Sequence, residues 1–395
     1  MKLLIISYMY PRIGMPQWGI FVHQQVKSLI KSGYKVTVIS PTPKSNWLLS
    51  IFSAKWKTFY QMPLYDNYEG VSVYYPRYYA IPKGWLKFLW GYFAFWDAIK
   101  VIKTNKIEFD VIHAHAPIPS GTTGVLLKKH FKKPLVTTIH GSMVTNFPFK
   151  NKRSFKAVEN VLIKSDCIVA VSNYLKGFIE THFVINSDVQ VIGNGVDRNS
   201  FLKYPQLVDK PYWMKGRKIC LTVANFIPQK GYESIVRSIP SVIEKIPDIL
   251  FVFIGDGGGK VKIEQLISQL NVENYVRLLG RLNHTDVLKY MRLCDIFLLP
   301  SIKEGFGIVY IEAMLFKKPV ISCAGSGPDD IVDSEKNGIL IESQSSTLIT
   351  KAIIDLFDHP EKISEYGKNG HKKVLQNYLW ENNIKKMAAV YSLLN

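Results

Sequence analysis

At 395 residues the chain exceeds one ordinary core, and two domains are the expectation. Hydrophobic residues at 47% and charged residues at 21% exclude a disordered chain. Fifty Lys and Arg against 31 Asp and Glu leave a net charge of +19, which suits a phosphorylated substrate, an anionic membrane surface or nucleic acid. The basic residues are spread out, with no block of five or six like charges, and this argues against a nucleic-acid partner.

The N-terminal MKLLIISYMYP is too short for a membrane span and lacks a small-residue cleavage site. It reads as a first core strand, LLIISY. Gly19, in PRIGMPQWGIFVHQQVKSL, precedes a helix carrying Val22, Val26 and Leu29. An acceptor loop or a phosphate contact belongs there in an α/β domain, and a plain loop glycine fits equally. After KVTVIS, the span from Asn46 to Ile102 is dense in aromatics: Trp47, Trp56, Tyr60, Trp85, Trp90 and Trp96. Aromatics interleaved with Lys suit a membrane–water interface, and ordinary helix core is the equal alternative. Lys87 and Asp97 inside its apolar run argue against a simple span.

VSVYYP, FDVIHAH, PLVTTIH, DCIVAVS and VQVIGN complete the strands of the first half. Such β-branched runs, separated by helix-length segments, predict parallel strands covered on both faces. His113 and His115 point the same way on one strand, and His140 closes the next. A lone strand-end His is more often structural; two neighbouring ones on the ligand side favour the cleft. No carboxylate or Cys stands at ligand spacing beside them, so a metal is not expected. Cys167, Cys220, Cys294 and Cys323 form no C-x-x-C pair and read as free thiols in a reducing compartment.

The pattern restarts after a Pro- and Gly-containing stretch without periodicity. The expected organisation is a first domain over 1–203, a linker over 204–217 and a second domain over 218–375. A C-terminal helix over 376–395 is expected to pack back on the first domain. The fold class is α/β: two Rossmann-like doubly wound domains facing a cleft. In such sheets ligands bind outside the carboxyl ends of the strands.

The strongest chemical signal is PSIKEGFGIVYIEAMLFKKPVIS at 300–322, where a strand ends, Gly305 and Gly307 follow, and a helix begins. Unpaired N–H groups and the helix dipole at such a start attract a diphosphate. Phosphate repels a carboxylate, but sugar hydroxyls bond to it well. Glu304 is therefore read as holding the transferred sugar and Glu312 the ribose; the alternative is two surface acids. Lys230, before Gly231 at a probable helix start, stands ready to meet a leaving phosphate. Gly257, in FIGDGGGK, lies in a loop near the nucleotide; the run does not match G-x-G-x-x-G, which disfavours a dinucleotide enzyme.

These residues resemble glycosyltransferase family 4, of the GT-B fold, over nearly the whole chain. Glu304, seven residues and then Glu312 carry the resemblance most specifically, with IGNGVD, AVSNYLK and IHGS in support. GIFVHQQ is most like transferases of bacterial cell-surface polymers, of the teichuronic-acid and capsule type. The resemblance implies retaining transfer without a metal or other cofactor, from a UDP- or GDP-linked nucleotide-sugar donor to a glycan or lipid-linked acceptor. It implies donor binding by Asn225, Lys230, Gly257, Glu304, Phe306, Gly307, Ile308 and Glu312. Glu304, His115 and Lys230 would be catalytic, and Gly19, His140 and Asn194 would face the acceptor. The chain departs from the family twice: Asn225 stands where many members have Arg, and Met143 where many have Asp.

The expected place is the cytoplasm, peripheral on the inner face of the plasma membrane through contact with anionic lipid. A nucleotide-sugar epimerase or phosphorylase on the same fold is one rival, since fold does not fix function. A non-enzymatic polyanion-binding protein is another.

Overall fold

The structure is a computed structural model that describes residues 1–79, 86–199 and 209–394. The chain divides into two compact units, Met1–Gly193 with Trp380–Asn395, and Asn194–Leu379.

The first unit is built on an eight-stranded sheet. Its strands are β1 (Lys2–Ser7), β2 (Lys35–Ile39), β4 (Tyr65–Tyr68), β5 (Val71–Tyr74), β7 (Val111–His115), β8 (Leu135–Ile139), β9 (Cys167–Ala170) and β10 (Val189–Val191). β3 (Thr42–Pro43) and β6 (Arg77–Tyr78) make a separate two-stranded pair. The sheet order is β10-β9-β8-β7-β1-β2-β5-β4, parallel except for the antiparallel β4–β5 edge. Order reverses beside β1, where Ser7 pairs with His115 of β7. The unit's helices are α1 (Ile20–Lys31), α2 (Trp47–Phe52), α3 (Ala54–Gln61), α4 (Trp90–Thr104), α5 (Thr122–Phe131), α6 (Ser142–Thr145), α7 (Lys152–Lys164) and α8 (Asn173–His182).

The second unit is a six-stranded, wholly parallel sheet. It comprises β11 (Lys218–Val223), β12 (Ile249–Ile254), β13 (Val276–Gly280), β14 (Ile296–Leu299), β15 (Val320–Cys323) and β16 (Gly338–Ile341). The order β13-β12-β11-β14-β15-β16 is the doubly wound arrangement of nucleotide-binding sheets. Its switch point lies between β11 and β14. The helices are α9 (Tyr232–Ile243), α10 (Lys260–Gln269), α11 (His284–Leu293), α12 (Ile308–Leu315), α13 (Ser346–Asp358) and α14 (Pro360–Asn377). The continuous apolar runs of β12 and β14 are fully buried, as a sheet covered on both faces requires.

The last helix, α15 (Trp380–Ser392), belongs to the first unit. Ile384, Met387 and Tyr391, at helical spacing, join a core that includes Leu3, Ile5, Val38 and Val136. Asn383 accepts from Gln25 Nε2 at 2.8 Å and donates to the Gly193 carbonyl at 2.7 Å.

The boundaries differ from the expected ones. The first unit ends at Gly193 rather than 203, because Val196 already bridges Leu379 and donates to the Tyr378 carbonyl at 2.8 Å. Part of the expected linker lies outside the described residues. Its remainder folds into the second unit, with Met214 fully buried. The expected helix over 376–395 is two helices with a break at Tyr378–Leu379, and α14 stays with the second unit because the Tyr378 hydroxyl donates to the Asp330 carbonyl at 2.6 Å.

Candidate functional site

The switch point of the second sheet gathers two loops, 224–231 after β11 and 300–307 after β14. Backbone and amide bonds stitch them together. Ile302 N donates to the Gln229 carbonyl at 2.9 Å, and Gln344 Nε2 donates to the carbonyls of Gln229 and Pro300 at 2.9 and 2.7 Å. Across this seam Lys230 Nζ pairs with Glu304 Oε2, which also accepts from Ser301 Oγ at 3.1 Å. Both side chains are half-buried, so the pair is partly shielded from water. Lys230 is the one cation between Ala224 and Gly231, and Asn225, earlier in the same loop, is exposed.

Gly307, at φ 93°, caps α12 in the left-handed region, and a Cβ there would meet the Tyr310 ring at 2.4 Å. No side chain caps α12, so its first N–H groups face the loop. Tyr310 pins the helix to the sheet: its hydroxyl donates to the Leu299 carbonyl at 2.7 Å and accepts from Ser322 Oγ at 2.8 Å. Phe306 is buried, its ring against Tyr378. It therefore contributes backbone rather than side chain to the loop. Ile308 opens the helix, half-buried. Gly257, at φ 152°, sits against the backbone of Phe226, where a Cβ would come within 2.9 Å of the carbonyl oxygen.

Glu312 is buried in α12, and its Oε1 lies 2.6 Å from Nε2 of His284, the first residue of α11. The Glu312 carboxylate raises the His284 pKa against the opposing effect of burial. His284 is absent from the sequence-derived set. Its signal was its place directly after β13, on the ligand edge of the sheet, behind the Asn283 N-cap.

In the first unit His115 and His140 meet. Their Nδ1 and Nε2 atoms are 3.0 Å apart, and the rings stack with centroids 5.3 Å apart. The other ring nitrogens, His115 Nε2 and His140 Nδ1, are buried with no hydrogen-bond partner. Burial lowers both pKa values, that of His140 to about 3, so both rings are neutral. Whichever ring donates within the pair, one donor and one acceptor remain unspent. That combination suits a hydroxyl. His113 is different: it is saturated by the Tyr391 hydroxyl and Thr138 Oγ1, each at 2.7 Å, and is structural.

Gly19 also has a structural reason. Its φ is 72°, and a Cβ would lie 2.2 Å from the Met9 carbonyl oxygen. Asn194 is buried at the start of the second unit, and so does not lie in the unit that holds Gly19 and His140. Arg12, a charged residue in the loop after β1, is buried in the first unit.

A doubly wound sheet with a basic–acidic pair at its switch point and an uncapped helix start beside it is the arrangement of the second unit of a GT-B fold. Comparison with known proteins agrees along the chain. Residues 19–200 match the model described as Glycosyltransferase Family 4, and residues 205–373 match that of Glycosyl transferases group 1. The chain belongs to the family 4 glycosyltransferases and is an enzyme of that kind.

An uncharacterized glycosyltransferase of Methanocaldococcus jannaschii is 29% identical over 100% of this chain and 99% of its own length. TuaC of Bacillus subtilis, named for teichuronic acid biosynthesis, is 28% identical over 89% of this chain and 88% of its own. Among solved structures, HepE of Anabaena in complex with UDP superposes with a TM-score of 0.75 at 18% identity, covering 100% of both chains. That likeness shows the fold.

Proposed function

We propose that the chain transfers a sugar from a UDP- or GDP-linked donor, with retention of configuration, to a glycan or lipid-linked acceptor of a bacterial cell-surface polysaccharide or glycolipid. The observation that carries this reading is the Lys230–Glu304 pair at the switch point. The sugar C1–O bond to the diphosphate breaks, and a C1–O bond to the acceptor forms on the same face. The acceptor's hydroxyl proton passes to the leaving phosphate oxygen. Lys230 and the first N–H groups of α12 meet the charge as it develops on that oxygen, where stabilisation lowers the barrier. Glu304 takes hydroxyls of the transferred sugar, and Glu312 those of the ribose. The unspent nitrogens of His115 and His140 support roles toward the sugar and the acceptor. HepE was solved with UDP and glucose and with UDP-glucose, and TuaC is named for a cell-surface polymer; both support the donor and pathway class. Incubation with a panel of nucleotide sugars, reading released diphosphate with and without acceptor extracts, tests the reading. Interconversion of the donor without release would instead mean an epimerase.

Metal independence belongs to the same reading, since the chain contains no D-x-D motif to clamp a divalent cation. Peripheral contact with anionic membrane is supported by the exposed Trp47, Ile51 and Trp96, the last 72% exposed, together with the net charge. No helix among the described residues is long and apolar enough to cross a membrane.

A further inference from the structure

The first unit contains a cavity of about 1270 Å³ at the carboxyl ends of its strands. Its walls are aromatic, with Tyr8, Trp18, Trp90 and Phe147 among them. Its charged lining is entirely cationic: Arg12, Lys87, Lys150, Lys152 and Arg153, with no carboxylate among the described lining residues. The volume exceeds what a monosaccharide needs.

Two features of this lining are unfavourable without an anion. Arg12 is only 3% exposed, and its four hydrogen bonds go to neutral oxygens: the carbonyls of Tyr8 and Tyr10, and the hydroxyls of Ser40 and Thr42. A buried guanidinium without a counterion is costly, and these four bonds leave one of its five N–H groups unused. The second feature is α7, whose start opens on the cavity. Asn151 caps it, accepting from Ser154 N at 2.9 Å, but its first turn carries Lys152 and Arg153 and no acid. Cations at the positive end of a helix dipole oppose it, and a bound anion reverses the sign of that effect.

We infer that this cavity receives the acceptor by a phosphate group, seated between Arg12 and the start of α7, with the acceptor's ring or chain against the aromatic walls. The inference rests on the transferase reading for the word acceptor, and on the first unit alone for the phosphate. Phosphate fits better than a single carboxylate because five cations and a helix start line the one cavity. The phosphate could belong to a soluble sugar phosphate or to a lipid-linked one, and the chemistry of the seat is the same.

Calorimetric titration of the full chain with phenyl phosphate tests this, with Lys230→Ala as the control for phosphate bound in the second unit. Wild type and Lys230→Ala should bind alike. The double variant Lys152→Glu with Arg153→Glu should bind at least tenfold more weakly while melting at the same or a higher temperature, because acids then stand at the positive helix end. Equal affinity in the double variant, or loss of binding in Lys230→Ala alone, would overturn the proposal. Farnesyl phosphate binding tenfold tighter than phenyl phosphate identifies a lipid-linked source, and equal binding a soluble one. Binding is read without turnover. A chain that binds phenyl phosphate but releases diphosphate from no nucleotide sugar sinks the transferase reading and leaves the anion seat standing. Active transfer with no phosphate binding does the reverse.

Discussion

His284 Nε2 lies 2.6 Å from Glu312 Oε1, so an imidazole on one helix already holds one oxygen of a carboxylate buried in another. The folded protein raises the His284 pKa above its ordinary value, chiefly through the charge of Glu312. The pair's contribution to stability is therefore fully present below about pH 6.5 and is lost as pH rises through the folded value. His284→Gln should cost about 1 kcal/mol at pH 6 and less at pH 9. Denaturant unfolding of both proteins at the two pH values measures this, and a pH-independent difference would remove the ion pair from the account.

Glu304→Gln should lower transfer at least about a hundredfold, since a neutral amide loses the charge that orders the sugar hydroxyls. The melting temperature should stay within a few degrees, because Gln keeps the shape of Glu and its amide oxygen can still accept from Lys230 Nζ and Ser301 Oγ. Near-normal turnover in this variant would take Glu304 out of the site.

Lys230→Ala should raise the donor KM and lower kcat together, each by about tenfold or more, because one cation serves both the bound and the leaving diphosphate. Steady-state kinetics with the preferred nucleotide sugar decide it. A change confined to KM would mean that Lys230 binds ground state and transition state equally.

Acid should weaken the first unit through its buried histidines. The folded pKa values of His113 and His140 are both lowered to about 3 by burial, against 6.5 when unfolded. The unfolded chain then binds more protons below pH 6.5, and stability falls by about 1.4 kcal/mol per pH unit for each ring. Denaturant unfolding between pH 7 and pH 5 should show this slope, and His113→Gln should flatten it. A slope unchanged by that variant would reassign the acid sensitivity to other groups.

The membrane reading predicts that vesicles with anionic lipid float the protein and that neutral vesicles do not. High salt should release it, since each exposed basic residue near the surface contributes about 1 kcal/mol within a Debye length. Trp96→Ala, at a largely exposed position, should weaken flotation severalfold. Protein left at the bottom with both kinds of vesicle would refute the contact.

The central strands of the two sheets were legible because they are buried on both faces and read as unbroken apolar runs, as β12 does. β4 was not: its sequence YDNY is half polar, because it is an antiparallel edge strand that meets water. Lys230 and Glu304 were legible because strand, glycine and helix signals surround them. The partnership of Glu312 with His284 was hidden, since 28 residues separate the two and only the β13–α11 turn brings them together. Arg12 was hidden for a related reason: a charged residue in a loop reads as solvated, and its burial depends on Ser40 and Thr42 beyond the next strand. The first unit ends before the Pro- and Gly-containing stretch that marked the expected boundary, because Val196 pairs with Leu379, a contact far along the chain that local composition does not reveal.

The helix α15 sets an order of events during synthesis. The second unit is one continuous stretch, Asn194–Leu379, whereas the first is completed only by residues from Trp380 onward. Met387 and Tyr391 are fully buried in the first unit's core, and the Tyr391 hydroxyl satisfies His113. A ribosome therefore finishes the second unit while the earlier-made unit still lacks α15. Until that helix arrives, the first unit exposes an apolar groove, and His113 keeps only its bond to Thr138 Oγ1. A chain stopped at 379 would carry an intact second unit and an incomplete first one, and a helix supplied as a separate peptide over 380–394 would be the natural complement of the first.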